Sequence, residues 1–222
     1  MTGGPHVMIV DDHAVLAQAL AGAFENEGFR ATALPPEDIN AERIVRRVRD
    51  EAPDVVLLDL LLSGGLSGVD LVRPLRAAGP KVLVMTSSQD RVLLARCLEE
   101  GADGLFDKSL QLHHLVEYVA DAARGQTVLS PGVREELLAE LRADRSRRHR
   151  VLERFTSLTT REAEVLDHLL NGRSSDEIAV LQSIAVSTVR SHVKSIFSKL
   201  GVNSRLAAVT LARQAGWSPA GE

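Results

Sequence analysis

The 222-residue chain contains one cysteine, Cys97, and only 3% of its residues are aromatic. A single thiol excludes an intrachain disulfide framework and suits a reducing compartment. With so few rings, the cores must be filled by aliphatic side chains, and a 45% hydrophobic content supplies enough of them. No apolar run approaches the length needed to span a bilayer, and no basic-then-apolar leader is visible. The expected location is therefore the cytoplasm. Strong charge of one sign is also missing overall, since the formal net charge is −4. That balance conceals an asymmetry. Residues 1–124 carry 12 Lys and Arg against 19 Asp and Glu, whereas residues 125–222 carry 14 against 11. An acidic first part and a mildly basic second part permit nucleic-acid binding by the latter without requiring it.

Residues 1–124 alternate short β-rich runs with helical stretches. Strands are expected near 7–11, 29–34, 54–60, 81–86 and 103–107, and helices near 13–27, 38–51, 67–78, 89–100 and 109–124. Val55 to Leu58 is continuously apolar, as a parallel strand buried on both faces should be. Leu112, Leu115, Val116, Val119 and Ala123 recur at helical spacing and predict one apolar face on the fifth helix. Five βα units in this length imply a flavodoxin-like α/β domain, a doubly wound five-stranded parallel sheet.

Polar residues stand where the apolar strands run out. VMIV leads into Asp11 and Asp12, DVVLLDL carries Asp59, KVLVMT ends in Thr86 and GLFDK ends in Lys108. In an open parallel sheet the strand C-termini share one edge, where ligands bind. A carboxylate attacks a phosphoryl donor poorly because two anions repel, and a divalent cation relieves that repulsion. Mg²⁺ binds few carboxylates and keeps several waters, so two or three acids suffice. This pattern points to Asp59 as a nucleophile forming an acyl phosphate, Asp12 and Asp11 as metal ligands, and Thr86 and Lys108 as donors to the phosphoryl oxygens. Singly, each residue has a plainer explanation. Asp12 would cap the helix starting at His13, Asp59 would be a solvated strand end, Thr86 a β-former and Lys108 a surface lysine. The four together, at the proper strand ends, favour the site. No glycine-rich loop follows the first strand, which argues against a dinucleotide-binding enzyme.

These segments, VMIVDDHAVL, DVVLLDL, VLVMTSS and GADGLFDKS, resemble in order and spacing the receiver domain of bacterial two-component response regulators over about residues 6–124. The resemblance implies Asp59 as phospho-acceptor, Asp11 and Asp12 as Mg²⁺-binding acids, the Leu61 carbonyl as a backbone metal ligand, Thr86 as the switch hydroxyl and Lys108 as the family's lysine. Two departures stand out. Leu105 occupies the position of a switch aromatic three residues before the lysine, with Phe106 pointing to the opposite face. The loop after Asp59 reads LLLSGGLSG, without proline and one residue longer than usual. His13 reads as structural.

Residues 125–157 are expected to be a linker, a helix around VREELLAEL followed by a flexible connector, ADRSRRHR. The five arginines from Arg142 to Arg150 read as a solvated face rather than a DNA contact. From Leu158 onward the pattern is helical. Thr159 or Thr160 caps a helix through Leu170, and Ser174–Ser175 precede one through about Gln182. A third runs over about 186–200 to Gly201, and Ser204 opens a fourth through Ala215. The third helix separates into an inward face of Val189, Val193, Ile196, Phe197 and Leu200 and an outward one of Arg190, Ser191, Lys194 and Ser198. Residues 158–205 resemble the LuxR-type helix-turn-helix through Leu158-Thr159, Arg161-Glu162, Glu177-Ile178-Ala179, Thr188-Val189, His192-Val193, Leu200-Gly201-Val202 and Ser204-Arg205. That resemblance implies Arg190, Ser191 and Lys194 as recognition-helix contacts to bases or nearby phosphates, with Thr188 and Lys199 on the DNA backbone. Gln182 replaces an apolar residue before the turn, a gap Leu181 is expected to fill.

The combined expectation is a response regulator of the NarL/FixJ type: a receiver at 1–124, a helical linker at 125–157 and a small all-α DNA-binding domain at 158–222. It implies double-stranded DNA and a sensor histidine kinase as partners, Mg²⁺ as cofactor, a homodimer on two half-sites, and no turnover as an enzyme. Two other readings stand beside it. One is an atypical regulator without a standard aspartyl-phosphate switch; the other is a Mg²⁺-dependent phosphatase, which the helix-turn-helix opposes.

Overall fold

The computed structural model describes residues 4–218. The chain forms two compact units, one ending at Leu141 and the other beginning at Arg142. In the first, strands β1 (His6–Val10), β2 (Arg30–Ala33), β3 (Val55–Asp59), β4 (Lys81–Thr86) and β5 (Gly104–Asp107) make one sheet. Its order is β2-β1-β3-β4-β5 and all four pairings are parallel. Helices α1 (Ala14–Asn26), α2 (Ala41–Glu51), α3 (Gly68–Ala77), α4 (Arg91–Glu99) and α5 (Leu112–Ala123) connect the strands.

Alternation along the strands divides the interior into two layers. Met8, Val10, Val56, Leu58, Val82 and Val84 join buried residues of α2, α3 and α4. Val7, Ile9, Val55, Leu57, Leu83 and Met85 face Ala17 and Phe24 of α1 and Leu115, Val119 and Ala122 of α5. Both faces of β1 and β3 are covered, which is why their residues are all apolar apart from His6 and Asp59 at the ends. Leu105 packs against the first layer and Phe106 lies in the second, stacked on Tyr118, so the two residues do face opposite ways. On α5 the buried stripe is Leu115, Val119 and Ala122, while Leu112 is largely exposed. The expected Leu112 sits at the first position of the helix, ahead of the turn that meets the sheet.

The stretch expected to be a flexible connector is helical. Helix α6 runs from Pro131 to Phe155 without interruption. Arginine and alanine are good helix formers, and Asp144 pairs with Arg147 and Arg148 one turn on while His149 pairs with Glu153. The sequence between Arg142 and Arg150 lacks an apolar period yet still has enough local stabilisation to remain helical.

The second unit contains α7 (Thr160–Leu170), α8 (Ser175–Gln182), α9 (Val186–Leu200) and α10 (Arg205–Ala215). Thr159 and Ser174 each form a reciprocal capping box, with Glu162 and Glu177 respectively, and Ser204 caps α10. Gly201 ends α9 in a left-handed conformation at φ 69°, a backbone shape that costs glycine least. The core is formed by Phe155, Val165, Leu166, Leu169, Ile178, Val189, Ile196, Leu200, Ala208 and Ala212, with Trp217 stacked on Phe155. Among the described residues no helix is long and apolar enough to cross a membrane.

Candidate phosphoryl-acceptor and nucleic-acid sites

At the C-terminal edge of the sheet the structure brings together every acidic and basic residue singled out there. Asp11 and Asp12 directly follow β1, Asp59 is the last residue of β3, Thr86 is the last of β4, and Lys108 follows β5. Asp11, Asp59 and Thr86 are buried. The Lys108 ammonium lies 2.8 Å from Asp11 Oδ2 and 2.8 Å from Asp59 Oδ2, joining segments 97 residues apart. Its position is set by the sheet, since the Lys108 N–H donates to the Thr86 carbonyl at 3.0 Å and continues the β4–β5 ladder.

The remaining carboxylate oxygens are held by local backbone. Asp11 Oδ1 accepts from the His13 N–H at 2.8 Å, and Asp59 Oδ1 accepts from the Leu61 N–H at 3.2 Å. Burial pushes the Asp59 carboxyl above its ordinary pKa; Lys108 and the Leu61 N–H work against this, and the Asp11 charge adds to it. Burial draws the Lys108 ammonium down, but its bonds to Asp11 and Asp59 prevail and its pKa is raised. The lysine therefore stays charged between the two acids.

Asp12 does not cap α1. The N-cap position is His13, and no side chain caps that helix. Instead Asp12 Oδ1 is buried and makes no hydrogen bond among the described residues; its one close polar neighbour is His13 Nδ1 at 3.1 Å, an ion pair only when the imidazole is protonated. A buried carboxylate oxygen with no hydrogen bond is costly, and a bound cation would offset that cost. One ligand atom from each of Asp11, Asp12, His13 and Asp59 lies within 4.8 Å of the others. The donor set is rich in hard oxygens and fits Mg²⁺. His13, read from sequence as structural, belongs to this cluster by position: its Nδ1 lies 3.1 Å from both Asp11 and Asp12.

Close packing holds the loop after Asp59. A Cβ on Gly68 would lie 2.4 Å from the Asp59 carbonyl oxygen and 2.8 Å from Leu60 Cα, so no larger residue fits there. The loop contains a short 3₁₀ turn at Ser63–Gly65 and a bridge between Leu61 and Ser67. Leu61, whose carbonyl is the expected backbone ligand, opens this turn and its side chain is exposed. The Thr86 hydroxyl accepts from the Ser88 N–H at 2.9 Å.

In the second unit α9 has the two faces its sequence implies. Val189, Ile196 and Leu200 are buried and Val193 and Phe197 pack beside them, whereas Thr188, Arg190, Ser191 and Lys194 are exposed. Arg190 and Lys194 have no side-chain partner among the described residues, so their charges face solvent. The ammonium of Lys199, expected on the DNA backbone, lies 2.6 Å from Glu162 Oε2 within the domain. Leu181 requires a correction: it is 56% exposed and does not fill the place of Gln182, whose amide reaches Glu164 at 3.5 Å.

Glu162 is the residue that sequence reasoning saw only as a motif match. It is buried, and it accepts from Ser195 Oγ at 2.5 Å, from Lys199, and from the N–H and hydroxyl of Thr159 at 2.7 and 3.0 Å. Burial alone would raise its pKa, but these donors outweigh it and hold the carboxyl at about 2. Ser195 and Lys199 are four residues apart on α9, a spacing that marks one helix face and was the available signal.

Comparison with known proteins agrees with this geometry. Residues 7–120 match the family described as "Response regulator receiver domain", and residues 156–212 match "Bacterial regulatory proteins, luxR family". The chain belongs to the response regulators that join a receiver to a LuxR-type DNA-binding domain. It is 30% identical to the nitrate/nitrite response regulator protein homolog of Haemophilus influenzae, over 92% of this chain and 94% of that one. It is 31% identical to the transcriptional regulatory protein YdfI of Bacillus subtilis, over 95% and 96%. A crystal structure of a LuxR-family two-component response regulator from Aurantimonas sp. SI85-9A1 covers 62% of this chain and 97% of its own, with a TM-score of 0.52 and 27% identity. LuxR-type response regulators bind DNA and are phosphorylated by sensor kinases.

Proposed function

We propose that this protein is a cytoplasmic transcription regulator whose Asp59 accepts a phosphoryl group from a sensor histidine kinase. The observation that carries this is the Lys108 ammonium held 2.8 Å from both Asp11 and Asp59 at the strand ends, with Asp12 in the same acidic cluster. An Asp59 carboxylate oxygen attacks phosphorus, the bond from phosphorus to the donor nitrogen breaks, and an acyl phosphate forms. Asp11, Asp12, Asp59 and the Leu61 carbonyl would hold Mg²⁺, which supplies screening of the charge between carboxylate and phosphate. Lys108 donates to the phosphoryl oxygens, and the Thr86 hydroxyl turns from Ser88 to do the same. The protein does not turn over substrate.

On the DNA side, Arg190 and Ser191 meet base edges, Lys194 meets bases or nearby phosphates, and Thr188 meets the backbone. A single bidentate contact discriminates bases by about 1–3 kcal/mol, so one small domain selects weakly. A homodimer reading two half-sites supplies the rest. We take residues 1–124 as the receiver, 125–157 as linker and 158–222 as the DNA-binding domain.

The test is incubation with a small phosphodonor and Mg²⁺, followed by intact mass and DNA binding. The expected result is one added phosphoryl group, lost in Asp59→Ala together with the donor-dependent gain in DNA affinity. If Asp59→Ala keeps that gain, the switch lies elsewhere. A second reading, regulation without the standard switch, is favoured by one observation: Leu105, which replaces the switch aromatic, is packed against the apolar layer beneath α4.

A further inference from the structure

The first three turns of α6, which belong to the first unit, reach both ends of α4 through their side chains. Leu137 and Leu141, four residues apart on one face, are buried in the same apolar cluster as Ala95, Leu98 and Ala102, with Leu105 packed against it. Polar bonds hold the two ends. At the N-terminus of α4, Arg91 donates from Nε to both Glu140 oxygens at 3.0 and 2.8 Å and from its terminal nitrogen to Glu136 at 2.7 Å. Past the C-terminus, Arg134 donates to the Ala102 carbonyl at 2.7 Å and the Leu98 carbonyl at 3.5 Å. Arg134 binds at the C-terminal end and Glu140 at the N-terminal end, so the two helices run antiparallel.

A continuous set of hydrogen bonds links this clamp to the phosphoryl-acceptor site. The Thr86 hydroxyl accepts from Ser88 N–H, and Ser88 Oγ accepts from Asp90 N–H at 3.2 Å. Asp90 Oδ1 in turn caps α4 through the N–H groups of Val92 and Leu93 at 3.0 and 3.1 Å. Arg91 follows Asp90 directly. A Thr86 hydroxyl that leaves Ser88 for a phosphoryl oxygen removes the first acceptor in this series. The 87–90 turn then loses its tie, and the residue displaced at its end is the one gripping Glu136 and Glu140.

We propose that residues 131–141 of α6 are a releasable clamp on α4, closed through Arg91 in the unphosphorylated chain and opened through the Thr86–Ser88–Asp90 series when Asp59 is modified. This rests on the Asp59 acceptor reading and names its output. The coupling needs no aromatic switch, because Leu105, which stands at that position, packs against the cluster that holds Leu137 and Leu141. The two-state element is the docked or undocked first half of α6.

Hydrogen exchange of amides 131–141 in the full chain, with intact mass measured on the same samples, tests the clamp. Arg91→Glu is expected to speed their exchange at least about fivefold without any donor. Adding Glu136→Arg and Glu140→Arg to that variant restores protection by exchanging the charges. Acetyl phosphate with Mg²⁺ speeds the same amides in the wild-type chain, whereas Thr86→Ala, which deletes the same acceptor, speeds them without donor and makes them insensitive to it. A phosphorylated chain whose 131–141 amides remain as protected as before overturns the clamp and leaves the acceptor reading intact. A chain that gains no phosphoryl mass overturns the acceptor reading, and the phosphorylation-driven opening with it. Exchange in Arg91→Glu equal to wild type overturns the role of Arg91.

Discussion

Asp12 and Asp59 occupy neighbouring positions but carry opposite burdens. Asp59 has partners and is crowded, since a buried carboxylate beside Asp11 is stabilised only by Lys108 and one N–H. Removing its charge while keeping its shape should relieve that crowding. Asp59→Asn is expected to raise the melting temperature of the receiver by about 2–4 °C while abolishing phosphoryl uptake, read by calorimetry and intact mass. Asp12 has a buried oxygen that makes no hydrogen bond and has only His13 Nδ1 near it, so a bound cation should add to its contribution. Mg²⁺ at 100 times its dissociation constant should stabilise the wild-type chain by about 2.7 kcal/mol, and Asp12→Ala should lose most of that shift in a titration followed by thermal unfolding. An equal Mg²⁺ response in Asp12→Ala would remove it from the ligand set.

Among the elements, the loop leaving β3 and the helix carrying the DNA-facing residues depend on different kinds of support. Gly68 lets α3 begin against the Asp59 and Leu60 backbone, and Gly68→Ala would push a methyl to 2.4 Å from a carbonyl oxygen. That variant is expected to lose stability by more than about 1 kcal/mol, together with its Mg²⁺ response. Gly22→Ala, in the middle of α1 with open space around its Cβ, should gain about 0.5–1 kcal/mol; paired urea unfolding curves measure both. Helix α9 is fixed by Glu162, whose carboxyl is held at about 2 against an ordinary value of 4.5. Because the folded value is the lower one, the unfolded chain binds more protons between them. This stabilisation is present above about pH 4.5 and is lost as the pH falls through about 2. Glu162→Gln should therefore weaken the second unit at neutral pH and flatten its acid dependence in that interval. Trp217, the only tryptophan and stacked on Phe155 in this unit, reports the unfolding by fluorescence.

For the molecule as a whole, the question is which charges reach DNA. Lys194 faces solvent, whereas Lys199 is engaged by Glu162. Each phosphate contact adds about 0.9 to the slope of log affinity against log salt, so Lys194→Ala in a dimer should lower that slope by about 2. Lys199→Ala should leave the slope unchanged and act through stability. A reduced slope in Lys199→Ala would place that lysine at the interface. The mild positive balance of residues 125–222 suits such a limited electrostatic contribution.

Much of this was legible in the chain itself. Strand ends, caps and helix faces are written in patterns that repeat every two or about 3.6 residues, and each is satisfied by neighbours within one or two turns. Hence the polar residues at the strand termini, the capping threonine and serines, and the two faces of α9 could be placed before any coordinates. The tertiary structure decided what depended on distant partners. That Asp12 joins the acidic cluster rather than capping α1, and that the Lys199 ammonium lies 2.6 Å from Glu162, 37 residues earlier, follows only from the fold. ADRSRRHR looked unstructured because it lacks an apolar period, yet it lies in a helix whose earlier turns are anchored by Arg91, 49 residues from Glu140. A local pattern specifies the face a side chain occupies, but the partner opposite that face is supplied by an element elsewhere in the chain, and only packing brings the two together.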